Sequence, residues 1–83
     1  MMGSKELREL LQHYYRRTII RFCIEPRTFQ EIVDHLAERA GIEHGLAHVL
    51  AAEHLAILEE KKAVKPTDGR WAATEEAIQA LKK

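Results

Sequence analysis

A single cysteine, Cys23, leaves the chain no means of closing an intramolecular disulfide. The disulfide-stapled class of small domains is excluded, nothing asks for an oxidising compartment, and a cytoplasmic setting is expected. Two prolines and four glycines in 83 residues are few interruptions, so long helices have room to run. No apolar run approaches the roughly 18 residues of a membrane-crossing helix, and no apolar segment near the start reads as a secretion signal. An excess of one charge is missing too: Lys+Arg and Asp+Glu are both 13, for a formal net charge of +0. A dedicated nucleic-acid binder usually carries a basic excess, because neutralising phosphates supplies most of its non-specific affinity. A neutral chain reaches that end only by segregating its charges on the surface. There is no Ser/His/Asp order, glycine-rich phosphate loop or paired-carboxylate cleft, so an enzyme is not expected.

What is present is periodic. Residues 5–24 place Leu7, Leu10, Leu11, Tyr14, Thr18 and Phe22 at three- and four-residue steps, predicting a long first helix that Glu25–Pro26 ends. Thr28–Phe29–Gln30–Glu31 has the capping-box pattern and opens a second helix, with Ile32, Val33 and Leu36 inward and Gly41 as its stop. A third helix is predicted over residues 43–62, through Leu46, Leu50, Ala51, Leu55, Ile57 and Leu58. The period then changes. Ala63–Val64–Lys65 and Arg70–Trp71–Ala72–Ala73 read as strands around a turn at Pro66–Thr67–Asp68–Gly69. Thr74 is placed to cap a last helix, with Glu75 and Glu76 in its first turn and Ala77, Ile78 and Leu81 inward. Residues 1–4 read as a disordered start and residues 5–83 as one domain, mainly α with a small β-hairpin. Three helices, a two-stranded wing and a short final helix make the winged-helix plan.

One segment carries a family resemblance. Residues 54–64, His-Leu-Ala-Ile-Leu-Glu-Glu-Lys-Lys-Ala-Val, resemble the end of the third helix and the opening of the wing in winged-helix repressors of the arsenic-repressor and multiple-antibiotic-resistance types. Leu55 and Leu58 take the places of the two leucines that anchor that helix, and Val64 that of the valine that pins the first wing strand. The interval from Leu36 to Leu55 is longer than in those families, and Lys62 replaces the glycine that usually precedes the valine by two residues. A lengthened segment similar to this one, here around Glu38–His48, occurs in the small winged-helix domain appended to some metallo-β-lactamase-fold hydrolases, a resemblance that rests on His48–Ala73. The first resemblance implies a DNA-binding transcriptional regulator.

The third helix, which in that plan normally lies in the major groove, fits the role poorly. Stepping about 100° per residue from an inward Leu55 puts Ala47, Ala51 and Leu58 inside, with Leu46, Leu50 and Ile57 extending that arc. The outward arc is Gly45, His48, Val49, Ala52, Glu53, Ala56, Glu59 and Glu60, which holds no Arg, Lys, Asn or Gln to pair with base edges. Gly45, Val49, Ala52 and Ala56 instead suit a close protein contact. Cations stand elsewhere: Arg16, Arg17 and Arg21 late in the first helix, Arg27 just beyond, and Lys61, Lys62, Lys65 and Arg70 about the wing. Two readings follow. In one, Arg16, Arg17, Arg27, Lys61, Lys62, Lys65 and Arg70, with His48, touch DNA. In the other, the outer face of the third helix binds a protein partner or a second copy. The long first helix, with Ile20 off its main stripe, adds to the expectation of a homodimer, which would also support so small a core.

The remaining chemistry is sparse. His44 and His48 have the four-residue spacing of two zinc ligands, but no third ligand is in view, so no metal or other cofactor is expected. His35 and His54 lie near apolar arcs and read as partly buried, hydrogen-bonded histidines. Cys23, near the end of a helix, reads as a small core residue.

Overall fold

Thr28 sets the frame of the molecule. Its hydroxyl accepts the Glu31 amide (3.1 Å) while the Glu31 carboxylate accepts the Thr28 amide (2.8 Å), a closed capping box. The computed structural model describes the backbone over residues 4–81 and the side chains over residues 13–81. It contains α1 (Ser4–Phe22), α2 (Phe29–Ala40), α3 (His44–Glu60), β1 (Val64–Thr67), β2 (Arg70–Ala73) and α4 (Glu75–Leu81), which is the winged-helix layout. Residues 1–3, expected to belong to a disordered start, lie outside the described residues. No described helix is long and apolar enough to cross a membrane.

The core gathers Ile19 and Cys23 from α1, Ile32, Val33, Leu36 and Ala37 from α2, and Ala47, Ala51, Leu55 and Leu58 from α3, closed by Val64 and Ala73 of the hairpin. The inner arc of α3 is the one that the spacing predicts, with one correction. Leu46, expected to extend that arc, is 50% exposed. The inner face of α1 differs further. Its apolar stripe is Tyr15, Ile19 and Cys23, with Ile20 and Phe22 packed alongside, whereas Tyr14 is 43% exposed. Both stripes have helical spacing; docking against α2 and α3 selects the more aliphatic one. Leu7, Leu10 and Leu11 lie outside the described side chains. Ile20 packs on the core and is not set apart for a dimer contact. α1 also stops before the expected residue 24, because the Cys23 carbonyl turns to accept the Ala73 amide (2.8 Å).

α3 ends in a Schellman motif: the Ala63 amide donates to the Leu58 carbonyl (2.7 Å) and the Lys62 amide to the Glu59 carbonyl (3.0 Å). The left-handed residue this requires is Lys62, at φ 62°. The glycine usual two places before the wing valine is therefore missing where its freedom matters most. Its backbone role is kept, at a conformational cost of about 1–2 kcal/mol.

The hairpin turn is tighter than expected. Pro66 and Thr67 belong to β1, and only Asp68 and Gly69 form the turn, both at positive φ as a type I′ turn demands. Pairing runs Val64↔Ala73, Lys65↔Ala72, Pro66↔Trp71 and Thr67↔Arg70. In a two-residue hairpin the closing pair is hydrogen-bonded and the next is not, so the nitrogen of Pro66 points away from β2 and its missing proton costs nothing. On its other edge β2 takes a second partner. Arg27 and Trp71 exchange both backbone hydrogen bonds (2.9 and 2.7 Å), tying the α1–α2 connection into the sheet. Thr74 closes the base: its hydroxyl donates to the Lys62 carbonyl (2.7 Å) and accepts the Ala77 amide (3.3 Å) as the cap of α4.

Candidate anion-binding and interaction surfaces

The outward arc of α3 is where the sequence places it. Gly45, His48, Val49, Ala52, Glu53, Ala56, Glu59 and Glu60 are all exposed. Val49 is 54% exposed and stands with Leu46 in an apolar strip that Gly45, Ala52 and Ala56 flatten. No cation shares the strip. The two histidines of the zinc-like spacing go to different neighbours: His44 Nε2 sits 3.2 Å from a carboxylate oxygen of Asp34, and the His48 ring meets Phe29 edge-on at 4.9 Å. Among the described residues no three His, Cys, Asp or Glu side chains converge as metal ligands.

The wing cations stand at the surface. Lys61, Lys62, Lys65 and Arg70 are exposed, and none forms an ion pair among the described residues. Lys61 and Lys62 stand at the base of the hairpin, Lys65 on β1, and Arg70 beside the turn.

The cations of α1 and the following loop divide three ways. Arg27 is committed to the fold. Its Nε donates to the Phe22 carbonyl (3.0 Å), its guanidinium carbon lies 4.3 Å above the Phe22 ring centroid, and it reaches Glu25 at 3.6 Å. Arg16 is half-buried, with Nε shielded and unpartnered among the described residues. It lies close enough to His54 to help hold that imidazole below its usual pKa, after burial as the main cause. His54 is only 4% exposed and packs beside Tyr15 at 5.7 Å. Its Nδ1 has no partner among the described residues, so the expected hydrogen bond is not seen there. Arg17, one position on from Arg16, is exposed on a different side of α1.

Arg17 opens into a cleft between α1 and α2. His13, Tyr14, Arg17, Thr18 and Arg21 form one wall, His35 and Arg39 the other, around about 460 Å³. The Tyr14 hydroxyl donates to the Arg39 carbonyl (2.9 Å), joining the two helices across it. The His35 ring lies flat on Phe22, with centroids 3.9 Å apart and planes within 1°. Burial, Arg39 and Arg27 hold His35 below its ordinary pKa, and Glu38 opposes them. Sequence reasoning named Arg17 and Arg21 but missed His13 and Arg39 as their neighbours. The available signal was the four-residue spacing of His13, Arg17 and Arg21 on one helix and of His35 and Arg39 on the next. Cys23 lies in the core, where burial pushes its thiol up to about 11, as an inert core residue requires.

The class that fold and surfaces define is a winged-helix domain with cations on its wing and in one cleft, and an apolar, acidic outer face on its third helix. Comparison with family models, curated proteins and solved structures returns no match to this chain.

Proposed function

We propose that the domain is a cytoplasmic DNA-binding winged-helix regulator, of the kind that the arsenic-repressor and multiple-antibiotic-resistance resemblance implies, which holds the duplex by its phosphates through the wing. The observation that carries the reading is the set of exposed cations at the hairpin and its base, Lys61, Lys62, Lys65 and Arg70, none of them in an ion pair among the described residues. Wing cations of this kind grip phosphates or enter the minor groove. α3 adds no base-pairing side chain, so sequence preference is weak and the affinity is dominated by salt-sensitive contacts. Of the residues expected to touch DNA outside the wing, Arg27 and Arg16 are occupied by or shielded within the fold, His48 packs on Phe29, and Arg17 faces the cleft. Fluorescence anisotropy with a random duplex is the test. Binding is expected at about 50 mM salt, and neutralising Lys65 and Arg70 together is expected to lower the log–log salt slope by about 2. An absence of binding at that salt sinks the reading.

A second reading is favoured by one specific observation, the half-exposed Leu46 and Val49 on a face without cations. In it α3 docks on a protein or on a second copy of the chain. A bulky residue at Ala52 or Ala56 then disrupts assembly without unfolding the domain. A single 9.6 kDa species in sedimentation at micromolar concentration counts against self-association.

A further inference from the structure

The α1–α2 cleft has no part in the reading above, yet it brings together three arginines from two helices. Its lining presents the guanidiniums of Arg17, Arg21 and Arg39 and the imidazoles of His13 and His35, with no carboxylate among the described residues. Arg17 and Arg21 stand four residues apart, so they are neighbours on the surface of α1, where like charges repel and weaken the helix. A chain with 13 acidic residues has the means to neutralise such a block. Among the described residues none of the three arginines forms an ion pair. Glu38, on the exposed side of α2, is near enough to act on His35, and Glu25 is taken up by Arg27.

The cleft is also held in shape. The Tyr14–Arg39 hydrogen bond fixes the separation of its walls, and the Phe22 stack fixes the plane of the His35 ring. Guanidinium forks match phosphate oxygens two at a time, and several around one concavity reward a group with more than one negative charge. A volume of about 460 Å³ falls within the range of small-molecule sites and exceeds the needs of a bare phosphate ion. We propose that this cleft binds a small organic phosphate or diphosphate, with Arg17, Arg21 and Arg39 on the phosphate oxygens and the rest of the molecule against Tyr14 and Thr18. The ligand is a free molecule. The phosphates of a duplex, which carry the same chemistry, are held by the wing.

Titration calorimetry on the full chain with inorganic pyrophosphate tests this, beside duplex titrations of the same variants. Saturable one-to-one binding with Kd below about 1 mM is expected. Arg17→Gln and Arg39→Gln, both at exposed helix positions, are each expected to weaken it about tenfold or more, while Lys65→Gln leaves it unchanged. Circular dichroism confirms that each variant is folded. Absence of saturation overturns the proposal, as does an equal loss for Lys65→Gln, which marks general charge attraction. A third overturning result is a weakening of duplex binding by Arg17→Gln and Arg39→Gln as large as that by Lys65→Gln, which makes the cleft part of the DNA surface. The wing reading stands or falls separately, on the duplex response to Lys65 and Arg70.

Discussion

Two surfaces of this domain are opposites. The outer face of α3 is convex, carries half-exposed Leu46 and Val49, and has only carboxylates for charge. The α1–α2 cleft is concave, and its charged groups among the described residues are guanidiniums. A net charge of zero conceals both. The contrast teaches that net neutrality restricts a binding role only when the charges are mixed; here they are sorted between surfaces. It also removes the habitual link between a winged-helix layout and a groove-reading third helix, because the helix in that place is the least cationic long surface of the described structure.

The contrast can be broken most severely inside α3. Leu55 is 2% exposed and Val49 54%. Leu55→Ala is expected to cost about 2–5 kcal/mol in urea unfolding. Val49→Ala on the other side should fall within about 0.5 kcal/mol of the parent. If Val49→Ala destabilises strongly at micromolar concentration and not on dilution, the outer face is covered in solution and is no longer comparable with the open cleft.

A second way to sharpen the contrast uses pH. His54 and His35 are both held below the ordinary 6.5, each chiefly by burial. The unfolded chain therefore binds protons more readily than the folded one just below that value. Stability is full above pH 6.5 and declines as pH falls through it towards the folded values. His54→Phe is expected to flatten the part of that decline that belongs to the α1–α3 packing, and His35→Gln the part that belongs to the cleft. Thermal unfolding between about pH 5 and 8 separates them. A curve flat across that range in the parent contradicts burial as the cause.

The smallest effect is at Lys62. Lys62→Gly relieves the left-handed strain at the end of α3 and is expected to stabilise the domain by about 0.5–1 kcal/mol, visible as a shifted urea midpoint. The same change removes one wing-base cation, so duplex affinity should drop while pyrophosphate binding in the cleft does not. Opposite signs for stability and duplex binding would show that a lysine stands at a glycine position for the sake of its charge.

Legibility followed range along the chain. The Thr28 capping box, the Gly41 stop and the Thr74 cap are written within four residues of themselves and appear as expected, while the turn read over Pro66–Gly69 narrows to Asp68–Gly69. The inner arc of α3 was legible at Ala47, Ala51, Leu55 and Leu58 but not at Leu46, because apolar residues also stand on the outer side of this helix. α1 offered two, and the choice of Ile19 over Tyr14 was made by the helices it meets. Arg27 read as a spare cation because a single-residue bridge to Trp71 leaves no periodic trace. The cleft was half legible: its spacing lies in the sequence, but Tyr14 and Arg39 are 25 positions apart, and only packing sets them face to face. The wing cations were found where expected.

The Thr74 hydroxyl on the Lys62 carbonyl has a consequence for how such a domain diversifies. It ties residues 12 positions apart at the root of the hairpin, while Arg27 secures the middle of β2 from the side. Lengthening, shortening or retinting the tip around Asp68–Gly69 then alters reach and charge beyond the tie, and the helices behind it need not be rebuilt. The wing is an interchangeable blade on a fixed handle.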